Sequence, residues 1–446
     1  VMAGRVQLET SGPQDAFFTD DPEYTYFIKN FQKHSNFAPF FVDLDVEGEI
    51  EFDNIIRCTI PQDQGDLLKT VSLKFELSEI QQNLLSGDGI LGIGYVESIG
   101  HAIIEYAEIL IGGKTIQRIP SDFLAIYSDN YVTQTKQKNL SKLIGKPPLE
   151  LSGTPVCDNI ISGYLGFATQ KQNFFVDIPF YFHNNPELAI PICAIDKQEI
   201  EIIIKLRKCS DCIFGHDSTT PANDDNVRYL SNNVSTKGLI KNMKITTEMI
   251  SLTDIEKKKI KSEKIDYIIT QIQESKSIIP QDPDISSIVE IKHNLNFKNS
   301  VKELFFIIQR LRKVPGNHFV TNFDYDSMFQ LYDGEYVNYE HLKSLKMSLD
   351  DSEILNEETG DVINLRAVQS GIHHSRTQLF RRYYSYSFAL EPERWYPTGQ
   401  KNFSMVKDQI LKLKVTPDNV AQRELRVLAH SYNILRVENG IAQTLF

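Results

Sequence analysis

Tryptophan occurs once and cysteine only five times in 446 residues. The five thiols, Cys58, Cys157, Cys193, Cys209 and Cys212, are odd in number and suggest a reduced set rather than a disulfide framework. No long basic block occurs, and acids outnumber bases 59 to 47. A direct nucleic-acid binder needs a basic face, so no direct nucleic-acid contact is expected. Long apolar runs are missing as well. The most apolar stretch, residues 89–113, is broken by Glu97, His101, Glu105 and Glu108 and makes a poor membrane span. The opening residues carry neither a basic n-region nor an aliphatic h-region, which argues against a signal peptide and for a soluble chain.

Catalytic signatures are scarce too. "GDGILG" (87–92) has the glycine spacing of a dinucleotide fingerprint, but "EIQQNLLS" separates it from the strand before it, and a hairpin follows. That motif needs a strand directly ahead and a helix opening inside it, so the stretch reads as a turn. Cys209-Ser-Asp-Cys212 with His216 offers two or three ligands where structural zinc wants four, so it is a weak metal candidate and an ordinary loop is expected. Asn139, Asn233 and Asn402 have acceptor-sequon spacing, expected by chance in a chain without a secretory signal. His101 with Glu105, and the pair His373-His374, have no nucleophile beside them in sequence and read as structural histidines. No enzyme activity and no cofactor is expected.

What the chain has in abundance is aromatic and β-forming. Nine aromatic residues fall within residues 15–41. Asp21 as N-cap, Pro22 at the first helical position and Glu23 behind it predict a short helix, with Tyr24, Phe27 and Phe31 on one face and Lys29 and Lys33 near its end. Such a stripe must be covered, by the chain's own core or by a neighbouring subunit. Further on, the apolar runs are short and bounded by Gly, Pro, Asn or Asp: "TVSLKFELS" (70–78), "EIEIIIKLRK" (199–208), "KIDYIITQIQ" (264–273) and "VKELFFIIQR" (301–310) are examples. Several alternate with period two, as half-buried antiparallel strands do, and "EILIGGKTIQR" (108–118) reads as a hairpin closed by Gly-Gly. This pattern favours β-sandwiches or barrels. Helices are few; one is predicted from Thr253, where Thr253 and Glu256 have capping-box spacing. Residues 174–206 and 383–415 echo each other, each running from aromatic alternation through a proline-containing connection to an aliphatic strand. The echo suggests two similar β-domains in tandem, over 1–225 and 226–446, with the polar segment 215–238 as linker.

The opening "LETSGPQDAFFTDDPEYTYFIKNFQKHSNFA" resembles the start of the major capsid proteins of large icosahedral double-stranded DNA viruses, the iridovirus, phycodnavirus and giant-virus group. Gly12, Gln14, Asp15, Thr19, Pro22, Thr25, Phe27, His34, Asn36, Phe37 and Ala38 stand at matching positions, with Lys33 and Ser35 in place of the usual Arg and Thr. The likeness continues in order through "IGHAIIEYAEILIGGKTIQR" (99–118), "IPFYFHNNPELAIPICAIDKQEIEI" (178–202), "VKELFFIIQ" (301–309) and "LRVLAHSYNILRVENGIA" (425–442). In "YYSYSFALEPERWYPTGQKNFS" (383–404), Tyr396 to Gln400 depart from the family pattern while Pro397, Gly399, Asn402, Phe403 and Ser404 hold.

The resemblance implies an all-β fold of two tandem eight-stranded antiparallel jelly rolls with a few short helices, and a homotrimer with a nearly hexagonal outline that tiles a capsid against neighbouring capsomers. It also implies that Tyr24, Phe27, Phe31, His34, Asn36 and Phe37 help anchor the base of the first roll, toward minor capsid and penton proteins and an internal viral membrane. The loops 209–238 and 324–341 would then lie on the outer crown. Alternatives are a membrane-shaping scaffold of the same fold, a minor or penton capsid protein, or a glycan-processing enzyme on tandem jelly rolls. The last requires a carboxylate pair with a raised pKa in a groove.

Overall fold

The computed structural model describes residues 3–10, 12–28, 33–80, 92–96, 98–146, 171–216, 227–228, 238–281, 288–310, 328–332, 335–339, 342–357, 364–376, 383–417 and 422–446. The chain divides into two units, 1–36 and 37–446.

The first unit corrects the expected helix. Helices occupy Ala3–Glu9 and Pro13–Thr19, whereas 21–28 form bends and turns. The signals expected at Asp21-Pro22 operate instead at Gly12-Pro13: proline sits in the first turn, and the Asp15 carboxylate accepts from the Gly12 N–H at 2.8 Å. Asp21 takes a left-handed φ of 54°, which does not lead into a helix. Tyr24 and Tyr26 pair with each other, rings 5.1 Å apart and hydroxyls 2.9 Å apart. Residues two apart cannot meet in this way on a helix. Within this unit Tyr24, Tyr26 and Phe27 remain uncovered, 67%, 85% and 95% exposed. Phe31 lies outside the described residues.

The second unit is two jelly rolls. The first uses β1 (Phe37–Asp45), β2 (Ile55–Thr59), β3 (Leu67–Leu77), β4 (Ile104–Ile111), β5 (Lys114–Pro120), β6 (Gln172–Asp177), β7 (Ile200–Leu206) and β8 (Ile240–Leu252). The second uses β9 (Ile265–Ile279), β10 (Val289–Asn294), β11 (Ser300–Arg310), β12 (Leu342–Leu349), β13 (Ser352–Glu357), β14 (Tyr383–Ser387), β15 (Gln409–Val415) and β16 (Arg423–Glu438). Sheet order in the first roll is β1-β8-β3-β6 and β2-β7-β4-β5; in the second it is β9-β16-β11-β14 and β10-β15-β12-β13. Adding eight to each strand of the first roll gives the second. The echoing segments of the sequence hold β6 with β7 and β14 with β15, which take equivalent places in their sheets. Strand β8 pairs with β1 and β3, so the first roll draws a strand from beyond the expected boundary at 225. The helix expected from Thr253 spans Asp254–Ser262 and follows it directly, although the Thr253 side chain makes no cap hydrogen bond.

The β4–β5 hairpin closes on Gly112 and Gly113, both left-handed at φ 57° and 75°. A Cβ on Gly112 would meet the Gln198 side chain at 2.5 Å, whereas one on Gly113 would meet nothing within 4 Å. Gly113→Ala is therefore expected to cost about 1 kcal/mol from backbone strain alone. Gly112→Ala should cost more, and the two urea midpoints measure the difference.

Burial explains the strand patterns. In β11, Leu304, Phe306 and Ile308 fill the second roll's own core, while Phe305 and Ile307 join the core cluster of the first roll. In β16, Leu425, Val427 and Ala429 point inward and Leu428 outward to the first roll. A strand buried on both faces reads as an unbroken apolar run, which is how Leu304 to Ile308, "LFFII", reads.

Candidate functional site: the joint between the two rolls

The faces of β11 and β16 turned toward the first roll are covered in part by a helix, Ser121–Asn130. Ser121 to Ile126 and Ser128 to Asn130 are all buried, so this helix is a wedge with no free polar face. Phe123 places its ring 6.3 Å from Phe305 and 5.1 Å from the His430 imidazole. Polar pins surround this contact. Arg426 pairs with Asp122 at 3.1 Å, the Tyr383 hydroxyl donates to Asn130 Oδ1 at 2.5 Å, and Gln271 Nε2 donates to the Ile116 carbonyl at 2.7 Å.

At the centre sits a carboxylate. The β11–β16 register shifts between Val301 and Glu303, and bulges of this kind re-aim side chains. Glu303 is fully buried. His430 Nδ1 lies 2.7 Å from Glu303 Oε1, His374 Nε2 lies 3.3 Å from Oε2, and the Tyr131 hydroxyl of the first roll donates to Oε1. His374 Nδ1 faces Glu393 at 3.5 Å, and Lys302 donates to the Pro392 carbonyl at 2.7 Å. Burial alone would raise the Glu303 carboxyl, but the hydrogen bonds and charges of His374 and His430 outweigh it and hold it well below the usual range. Burial would lower His374; its two glutamate partners win and bring it up to about 9. Burial, reinforced by Lys302, takes His430 down to about 4. Burial takes Lys302 down to about 8 against the pull of Glu303 and Glu393.

At pH 7 the joint therefore holds two carboxylates, an imidazolium, an ammonium and a neutral His430 whose Nδ1–H donates to Glu303. Buried charge of this kind is stable only as a paired set. Chemically, it pins one roll to the other through a shared carboxylate.

The expected site residues are divided between the two units. His34 Nδ1 lies 2.6 Å from the Ser35 carbonyl, Asn36 is exposed, and Phe37 opens β1 opposite Leu252, 49% exposed. Cys209 begins a short turn, and burial pushes its thiol up to about 12, while Cys212 is buried with Sγ 3.9 Å from the Ala102 carbonyl. A thiol so raised is a poor ligand. The side chain of His216 and the whole of Cys157 lie outside the described residues, as do residues 87–91 of the glycine motif. Of the histidines read as structural, His374 belongs to the joint, whereas His373 caps the Leu390 carbonyl at 3.0 Å. Glu303 and His430 escaped sequence reasoning. Their signal was a charge inside an otherwise apolar strand, at "KELFF" and "LAHSY".

Two family models match the chain: one described as the major capsid protein N-terminus over residues 25–236, and one described as the large eukaryotic DNA virus major capsid protein over residues 256–443. The chain is 26% identical to the major capsid protein of Pyramimonas orientalis virus, over 98% of each chain. It is 26% identical to capsid protein 1 of Acanthamoeba polyphaga mimivirus over 71% of its own length, spanning half of that longer protein. Its fold superposes on the PBCV-1 virus capsid protein with a TM-score of 0.71 at 20% identity, covering 95% of this chain and all of the other.

Proposed function

Because the chain belongs to the major capsid protein family of large eukaryotic DNA viruses, we propose that it builds an icosahedral shell as a homotrimer of double jelly rolls. The observation that carries this reading is the repetition of one strand order in two rolls fused through a buried joint. Three such chains around a threefold axis present six similar wedges, and a unit with that outline can tile a flat facet through one repeated lateral contact. Contacts within the trimer should be obligate, on the order of several thousand Å². Light scattering tests this. A stable species near three times the 51.1 kDa chain supports it, and a monomer at every concentration overturns it.

The work is mechanical rather than chemical. A glycan-cleaving pair needs one carboxyl raised toward neutrality. Among the described residues, the carboxyls displaced from their ordinary acidity, Asp43, Asp53, Glu76, Asp266, Glu303, Asp350 and Glu393, are displaced downward.

We place the division between the rolls after β8, at the helix Asp254–Ser262. The aromatic segment with Tyr24, Phe27 and Phe31, continued by His34, Asn36 and Phe37, supplies contacts to minor capsid and penton proteins or to an internal membrane. A chain lacking residues 1–31 should form trimers but fail to close particles. Closed particles of normal size from that chain would contradict this role.

A further inference from the structure

We propose that the Glu303–His374–His430 cluster is an acid-sensitive lock, holding the two rolls in one orientation near neutral pH and loosening their joint on acidification. The geometry supplies the essentials. Glu303 is reached by Tyr131 from the first roll and by His374 and His430 from the second, so one carboxylate is shared across the joint. His430 also lies edge-on to Phe123 of the wedge helix. Any rearrangement of that imidazole is felt directly by the first roll.

The charged groups around it come from every packed element. From β11 come Lys302 and Glu303; from the segment after the helix Gln369–His373 come His374 and Arg376; from the following turn comes Glu393. The wedge and its flank add Asp122, Asp129 and Tyr131, with Lys146 on Asp129 and Arg426 on Asp122. Tyr432 lies under the Lys302 ammonium, 5.5 Å away. At Glu303 two carboxylates face two cations, and His430 completes the set only while neutral.

The direction follows from linkage. His430 is held near 4, below its ordinary 6.5, so the closed joint binds its proton more weakly than an opened one, and acidification from 6.5 toward 4 favours opening. Glu303 acts in the same sense. Its carboxyl is lowered, so its stabilising contribution is present above the ordinary carboxylate range and lost as pH falls. His374, raised to about 9, contributes fully below 6.5 and loses that contribution as pH rises through 9. Lys302, lowered to about 8, acts the other way and sheds its penalty as pH rises through 8, offsetting the alkaline loss at His374. The lock therefore weakens on the acid side.

Hydrogen exchange on the full-length protein tests this, with rates corrected for intrinsic pH dependence. Between pH 7 and pH 5 the gain at His374 offsets part of the loss at His430, so exchange of residues 121–131 should rise about fivefold, while β15 in the second roll changes less than threefold. His430→Asn keeps an amide donor for Glu303 but cannot charge, and should flatten the rise to less than threefold. Equal changes in both regions, or an unaltered rise in the variant, would overturn the proposal. Should the variant not fold, exchange at the histidine ring carbons of the unmodified protein decides the matter. Titration of His430 well below 6.5 in the closed state supports the lock, and titration at its ordinary value overturns it.

Discussion

Replacing Glu303 with alanine is expected to lower stability by about 3–5 kcal/mol, enough to leave little soluble protein. The cost comes from what remains. His374 and Lys302 keep their charges in a buried joint, and the Tyr131 hydroxyl and His430 Nδ1–H lose their acceptor. Glu303→Gln keeps an acceptor oxygen but no charge, and should fall between alanine and the native residue. Urea midpoints at pH 7 rank the three. A loss below about 1 kcal/mol for alanine would mean that the cluster is hydrated and not a structural element.

Phe123→Ala is the second large effect. The ring is 2% exposed, with its centroid 6.3 Å from that of Phe305 and 5.1 Å from that of His430. Removing it should cost about 3–5 kcal/mol, part as lost transfer energy and part as a cavity that the flanking strands cannot close. Its signature distinguishes it from an ordinary core mutation. Because the ring couples one roll to the other, calorimetry should show a single transition broadening or splitting into two. Phe306→Ala, whose ring faces the second roll's own interior, should cost a similar amount without splitting the transition. Splitting in neither or in both would remove Phe123 from its special place.

How far each feature could be read from the sequence depends on how local its cause is. The hairpin at Gly112-Gly113 and the helix after Thr253 follow from a few adjacent residues, and both are where the sequence places them. The tandem echo was legible because β6–β7 and β14–β15 keep their patterns within single segments. The helix near the start was displaced, since Gly12-Pro13 and Asp21-Pro22 offer similar opening signals and only backbone geometry chooses between them. In the wedge helix Ser121–Asn130 the polar residues Ser121, Asp122, Ser128 and Asp129 share one face, the pattern of a surface helix. That face is buried too, and nothing local in the sequence signals this. The joint was the least legible of all. Tyr131, Glu303, His374, Glu393 and His430 come from five separate stretches, and only pairing of β11 with β16 and docking of the wedge bring them together.

The central claim is that two fused rolls form one rigid building unit of a shell. Averaged electron-microscope projections of the purified protein test it most directly. Particles with threefold symmetry and six near-equal lobes, each lobe one roll, are what this account predicts. Two-lobed single chains that never associate, or rolls at variable angles within one chain, would contradict it.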